Sequence, residues 1–252
     1  MNQHLYLLTG ASRGLGRALA QRLLRPGHEL LCLSRGTDPT LAEAARAAGV
    51  VCEQWPADLA DPVPVAARLE AWLRAIDPQR FASATLVNNA ALLLAPGPLD
   101  RSEALQLSAA LRVGLEAPAL LSAAFLRATR DWPASKRVLN ISSGLGRRAM
   151  AGSASYCAVK AGLDHLSRAQ ALDEALQPNG ARIVSLAPGV IDTDMQVQLR
   201  GAGAEGFPEH DMFVQMHRGG QLSTPADTAA RIVEWMESAT FGAEVVADIR
   251  TV

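Results

Sequence analysis

Short apolar runs recur along the 252-residue chain, each closing on small or polar residues and most followed by a stretch whose apolar positions return at helical spacing. The runs are "HLYLLTG" (4–10), "ELLCLS" (29–34), "VVCEQWPADL" (50–59), "ATLVNNA" (84–90), "RVLNISS" (137–143), "ARIVSLAPG" (181–189) and "AEVVADI" (243–249). Between them the spacing predicts helices over 13–24, 40–49 and 65–76, and one long helix from Ser102 to Arg130. A sheet with one wet face would alternate apolar and polar positions. Near-continuous apolar strands separated by helices instead imply a parallel sheet covered on both faces. No linker, repeat or low-complexity tract interrupts the pattern. The expectation is one doubly wound α/β domain over residues 1–252.

In such a sheet ligands sit beyond the carboxyl ends of the strands. The first run ends in "TGASRGLG", Thr9 to Gly16. Glycine at 10, 14 and 16 lets the backbone turn sharply and approach a pyrophosphate, which then rests on the N-terminus of the next helix. The spacing is GxxxGxG rather than GxGxxG, and a tight turn without a ligand would use the same glycines. The second run ends in "LSRG", with Ser34 and Arg35 where a protein selecting NAD usually carries an acid for the ribose hydroxyls. Arg13 lies in the glycine loop itself. Two guanidinium groups converging there suit a 2'-phosphate, which makes NADPH/NADP+ the favoured cofactor.

The segment "SYCAVK" holds one of only two tyrosines, Tyr156, and one of only two lysines, Lys160. Four residues apart on a helix, they lie on one face one turn apart. Basic residues are otherwise arginine, 22 in all, so each lysine is informative. The other, Lys136, precedes an apolar run beside Arg137 and is expected to be a solvated strand-entry residue.

With these residues together, the chain resembles the short-chain dehydrogenase/reductase family over its whole length. "TGASRGLG" is similar to the family's cofactor loop, Asp58-Leu59 to its adenine-contacting pair, and "NNAA" (88–91) to its NNAG. "NISS", "YCAVK" and "PGVIDT" resemble its catalytic-serine region, its YxxxK motif and the loop around its nicotinamide. The resemblance implies a Rossmann-type fold with a seven-stranded parallel sheet. It implies cofactor contacts at Gly10, Ser12, Arg13, Gly14, Leu15 and Gly16, at Ser34 and Arg35, and at Asp58 and Leu59. Further contacts follow at Asn89 and Ala90, at Tyr156 and Lys160, and at Pro188, Gly189, Ile191 and Thr193.

Reducing a carbonyl requires hydride at carbon and a proton at the developing alkoxide. By the same resemblance Tyr156 is the general acid, Lys160 lowers its pKa and bonds the nicotinamide ribose, and Ser143 polarises the substrate carbonyl. The family's serine lies thirteen residues before the tyrosine, which selects Ser143 over Ser142. One position departs from the family's pattern. Many members carry an asparagine on the long helix, supporting a water chain to the lysine; here "RVGLEAP" puts Gly114 there, leaving room for a further water or passing the relay to another residue.

"SYCAVKAGLDHL", "APGVIDTDMQVQLR" and "GAEVVADIR" resemble the sepiapterin reductase branch, including bacterial relatives that reduce benzil. The substrate implied is a small-molecule ketone or vicinal diketone, with 3-ketoacyl reduction as another possibility within the family. Asp248 is the nearest candidate for that branch's pterin-anchoring aspartate. Residues 195–223 carry several glycines and the apolar Phe207, Met212, Phe213 and Met216, which fits a loop covering the nicotinamide. His210 and His217 fall there without metal-ligand spacing, so no metal site is expected.

Net charge of -1 and 4% aromatics argue against a nucleic-acid surface. No apolar run is judged long enough to span a bilayer, and the N-terminus lacks a signal-peptide pattern, so a cytoplasmic protein is expected. Cys32, Cys52 and Cys157 form no CxxC pair and read as buried free thiols. In the family the long helix and the YxxxK helix commonly pair across a two-fold axis, which implies a homodimer or homotetramer. A dinucleotide-binding sensor without turnover is the competing class; Gly114 supports it, whereas a sensor needs none of Ser143, Tyr156 and Lys160.

Overall fold

The computed structural model describes residues 3–203 and 205–252. Seven strands form one wholly parallel sheet: β1 (Gln3–Thr9), β2 (His28–Ser34), β3 (Val51–Pro56), β4 (Phe81–Asn88), β5 (Ser135–Ile141), β6 (Arg182–Ala187) and β7 (Val246–Asp248). Their order is β3-β2-β1-β4-β5-β6-β7, so the chain runs outward from β1 to one edge and then crosses back to build the other side. The reversal lies between β1 and β4, where a cleft opens at the carboxyl ends of the strands.

Alternate residues of each strand feed two separate cores. Tyr6 and Leu8 of β1 and Leu30 and Cys32 of β2 face α1 (Gly14–Leu23) and α9 (Pro225–Glu237), meeting Leu19, Leu23, Ile232 and Met236. Leu5, Leu7, Leu31 and Leu33 face the other way, toward α3 (Pro62–Ala75) and α5 (Ala117–Ala128), against Leu69, Leu73, Leu121 and Phe125. Both faces are thus dry, as the near-continuous apolar runs imply. Between β2 and β3, α2 (Pro39–Ala48) starts on Asp38, whose carboxylate accepts from the amides of Thr40 and Leu41, and ends on Gly49 at a left-handed φ of 65°. The third strand stops at Pro56, short of the expected 59, and the chain turns so that the Ala57 amide donates to Ser34 O at 2.9 Å.

The expected helix over 102–130 is α4 (Ala104–Leu111), a π-type turn at Arg112–Glu116, and α5. This 25-residue unit, Ala104–Ala128, is long and apolar enough by length and composition to cross a membrane, which corrects the expectation that no run reaches that length. Half of its most apolar stretch is buried inside the fold. Gly114 sits in the π turn, where α6 (Ala154–Ala175) comes closest. A Cβ there would collide with Val159 Cγ1. The space expected to admit another water is filled by a neighbouring side chain, so Gly114 is a packing requirement.

Two further expectations fail in opposite directions, one by added coverage and one by its lack. Lys136 is 2% exposed, not solvated, and its ammonium donates to Trp132 O at 3.5 Å. Burial and the nearby Arg130 hold its pKa below the usual lysine range, against the opposing charge of Glu174. Cys32 is buried, but Cys52 and Cys157 are only half-buried.

Alanine at 114 would gain about 0.5–1 kcal/mol of helix propensity, whereas overpacking a filled site costs about 1–3 kcal/mol. Gly114→Ala should therefore destabilise the protein in urea unfolding. Combined with Val159→Ala, the loss should be less than additive by at least about 0.5 kcal/mol; strict additivity would show that the two positions do not meet.

Candidate active site

Every residue assigned above to cofactor or chemistry lines one cavity of about 680 Å³ at the carboxyl ends of the strands. Its floor is the turn from β1 into α1. Gly10 and Gly14 have φ of 71° and 54°, the left-handed region that side chains disfavour. A Cβ at Gly16 would strike the Gly10 carbonyl oxygen and the Asn89 amide, so only glycine lets the loop fold this tightly. From across the switch point Asn89 Nδ2 donates to Thr9 O at 3.0 Å, and the amides of Asn89 and Ala90 both donate to Thr9 Oγ1, at 2.9 and 3.0 Å. The loop is thereby fixed to the end of β4. The N-cap of α1, Arg13, makes no side-chain capping bond, which leaves first-turn amides facing the cavity without a side-chain partner.

At one end of the cavity, Ser34 and Arg35 follow β2, with Asp58 and Leu59 beside them. Ser34 Oγ is buried and has no hydrogen-bond partner among the described residues. Asp58 Oδ1 accepts from the Ala60 amide at 3.0 Å, a local turn that buries Leu59. Arg13 forms an exposed ion pair with Asp194 at 3.4 Å. The uncapped helix start, the orphaned Ser34 hydroxyl and two guanidinium groups without an opposing acid on β2 fit a phosphorylated dinucleotide.

At the other end stand Ser143, Tyr156 and Lys160. Ser143 follows β5 and accepts from the Leu145 amide at 3.2 Å through its hydroxyl oxygen. Tyr156 and Lys160 share a face of α6, the lysine nitrogen 5.5 Å from the phenol ring centre. Lys160 donates to Ile141 O at 2.7 Å. Burial pushes the Tyr156 phenol up to about 12, against a lowering hydrogen bond with Ser143. Burial pulls Lys160 down to about 8, against the opposing carboxylate of Asp164. The expected lowering of Tyr156 by Lys160 is therefore corrected: in the protein by itself desolvation dominates, and the ammonium is directed at the Ile141 carbonyl. A phenol held at about 12 keeps its proton throughout the neutral range, the state a proton donor requires.

Asp248 does not line the cavity. Its carboxylate is bound by Arg250 at 2.6 and 2.8 Å and lies 4.0 Å from Arg147, while the Arg250 side chain reaches the cavity wall. An aspartate so neutralised is a poor anchor for a cationic or amino-bearing ring, and its expected role fails on that ground. The segment 195–223 contributes α7 (Asp194–Gly201) and α8 (His210–Arg218), and from them Met195, Gln196, Leu199 and Phe213 to the cavity. Phe207 between them is fully buried against Met150, Leu199 and Phe213. His210 bonds Asp211 and the Arg200 carbonyl.

Sequence reasoning missed a polar line beneath the site. Asn88 Nδ2 donates to Asn140 Oδ1 at 2.8 Å and to Ser122 Oγ at 3.2 Å, and Asn140 Nδ2 donates to Ser167 Oγ at 2.9 Å. These four buried residues tie β4, β5, α5 and α6 together near the end of the cavity that holds Ser143, Tyr156 and Lys160. The signal was present in the asparagines that close "ATLVN" and "RVLN" just inside the strand ends.

Residues 4–202 match the sequence profile described as short chain dehydrogenase. A benzil reductase, (S)-benzoin forming, of Bacillus cereus is 32% identical over 235 residues, covering 93% of this chain and 94% of its own. Sepiapterin reductase of Meriones unguiculatus is 32% identical over 247 residues, covering 93% and 92%. Among solved structures, a metagenomic short-chain oxidoreductase in complex with NADP superposes with a TM-score of 0.73 at 25% identity, covering 98% of this chain and 95% of that one. With its 3-2-1-4-5-6-7 sheet and its cavity at the switch point, the chain belongs to the short-chain dehydrogenase family of oxidoreductases.

Proposed function

We propose that the protein is an NADPH-dependent carbonyl reductase acting on a ketone or vicinal diketone of the benzil or sepiapterin kind. One arrangement carries this reading: Ser143, Tyr156 and Lys160 form one end of a cavity whose other end presents Ser34 and Arg35 in place of an acid. The names of the relatives support the substrate class, and the dinucleotide in the metagenomic neighbour supports the cofactor. The glycine loop, with Ser12 and the free amides of α1, would hold the pyrophosphate. Arg13, Ser34 and Arg35 would hold the 2'-phosphate, Asp58 and Leu59 the adenine, and Pro188, Gly189, Ile191 and Thr193 the nicotinamide.

NADPH held there would supply hydride to the carbonyl carbon. Tyr156 donates its phenolic proton to the oxygen as negative charge develops there, and Ser143 directs its hydroxyl at the same oxygen. Lys160, one turn away, would bond the nicotinamide ribose. Helices α7 and α8 exclude water by closing the cavity through Leu199 and Phe213, with Phe207 as the buried anchor. The competing reading, a sensor without turnover, drew on Gly114; contact with Val159 accounts for that glycine without reference to catalysis. Self-association through the outer faces of α4 and α6 is part of the proposal, since Leu105 of α4, Leu172 of α6 and Leu176 just past its end are exposed.

Consumption of NADPH with benzil or diacetyl tests the activity. Tyr156→Phe keeps the ring but removes the transferable proton, so the rate constant should fall about 10²–10⁴-fold with NADPH binding retained. Near-normal turnover in that variant would eliminate the scheme. For the cofactor, Arg35→Asp should weaken NADPH binding about 10- to 100-fold more than NADH binding; equal losses would refute the phosphate contact. Sedimentation at micromolar concentration should give at least a dimer, and a monomer would dismiss the assembly.

A further inference from the structure

The cavity is charged unevenly along its length. Seven charged residues line it, five cations and two carboxylates. Neither carboxylate serves the catalytic end: Asp58 accepts from the Ala60 amide at the far end, and Asp194 is drawn to Arg13 of the glycine loop. Around Ser143 and Tyr156 the charged lining is Arg148, Lys160 and Arg250, with no carboxylate among the described residues.

The local fold puts the two arginines there. From Ser143 the chain makes a tight turn, in which the Gly146 amide donates to Ser143 O at 3.0 Å. The Arg147 and Arg148 amides both donate to Gly144 O, at 3.1 and 3.2 Å, so Arg148 stands about one turn from the serine. Two residues on, Met150 is buried against Leu199 and Phe213 of the covering helices. Arg250 arrives from the other side. The Ile249 amide donates to Ala187 O at 3.0 Å, and a Cβ at Gly189 would meet Ile249 Cγ2 at 3.9 Å. The C-terminal residues thus run beside the Pro188–Gly189 turn. Arg147 joins the two pieces by donating to Ala247 O at 2.7 Å.

The guanidinium groups of this region differ in what they have left to offer. Arg147 is committed to Ala247 O and, at 3.5 Å, to the buried Asp164 carboxylate, and it does not line the cavity. Asp248 accepts from Nε and one Nη of Arg250, at 2.8 and 2.6 Å, which fixes that guanidinium and leaves its other donors free. Arg148 is exposed and has no ion pair or side-chain hydrogen bond among the described residues. Lys160 is buried and directed at Ile141 O. Much of the remaining wall is apolar: Leu93, Leu145, Met150, Leu199 and Phe213. A cleft with apolar walls and charge of one sign concentrates counter-ions, here anions, and disfavours a cationic ring.

We propose that the substrate is a ketone carrying a carboxylate on an apolar body, and that Arg148, with Arg250 beside it, is the specificity-determining residue that selects it. The proposal rests on the carbonyl-reductase reading for the ketone and adds the charge. Arginine meets a carboxylate through paired hydrogen bonds, so the contact orients the substrate as well as holding it. Asp248 then serves by holding Arg250 in place rather than by touching substrate.

Two acid–ester pairs isolate the charge: 4-carboxybenzil with its methyl ester, and 3-benzoylpropionate with its methyl ester. At least one acid should exceed its ester in kcat/KM about tenfold or more, the scale of a hydrogen bond to a charged group. Arg148→Gln should bring that ratio close to unity, Arg250→Gln should lower it, and Arg148→Lys should keep most of it. Arg46→Gln, at an exposed arginine of α2 outside the cavity, should leave it unmoved. The proposal is overturned if neither acid exceeds its ester, if the ratio survives Arg148→Gln, or if it falls equally in Arg46→Gln. A tenfold loss of NADPH affinity in Arg148→Gln would give the arginine to the cofactor and overturn it too. Calorimetry on protein saturated with NADP+, which has no hydride to give, should show the same acid-over-ester preference, shrinking as salt is raised. Charge-selective binding without turnover would refute the reductase reading alone; turnover without charge selectivity would refute the anionic substrate alone.

Discussion

A charged amine taken out of water must be met by hydrogen bonds and opposite charge, and the packing around the buried Lys160 answers to that demand. The Ile141 carbonyl is free for it because it lies where β5 ends and the chain departs from the sheet. Asp164 stands one turn along the same helix, steadied by β6 through Ser185. Gly146 lets the turn after Ser143 lie directly on that pair, and Gly114 lets the long helix close over Val159 beside it. Two glycines far apart in sequence thus serve one purpose, bringing backbone within contact distance of α6. The serine, the tyrosine and the lysine are held by the same packing.

The cofactor end is governed by a different constraint, unpaired backbone. The turn after β1 exposes the amides that open α1, and no capping side chain satisfies them. Asn89 and Thr9 brace this loop against the end of β4, so the amides are presented by a fixed scaffold. The switch point between β1 and β4 supplies the cleft, and the two dry faces of the sheet supply the rigidity.

What could be read in the sequence was local. Alternation of apolar runs with helical spacing marks the strands, since both faces of a parallel sheet are buried; the glycine loop and the four-residue step from Tyr156 to Lys160 are geometric statements a chain makes by itself. What could not be read depends on what covers what. Lys136 looks like a surface residue until Trp132 and the Arg130–Glu174 pair close over it. Asp248 looks available until Arg250 and Arg147 neutralise it. The pKa of Tyr156 follows its burial more than its neighbour, and Asp164 resembles any polar residue on an amphipathic helix until β6 and the serine turn enclose it. The π turn at Arg112–Glu116 answers to a helix some forty residues further on.

Both lysines are sequestered, each 2% exposed, in a chain whose remaining side-chain cations are arginines and histidines. The folded surface is therefore almost without primary amines. Reagents that acylate lysine amines find little to attack on the folded protein. A lysine-specific protease meets its cleavage sites only in molecules that have opened, which makes its rate of cutting a direct gauge of how often the sheet and α6 come apart.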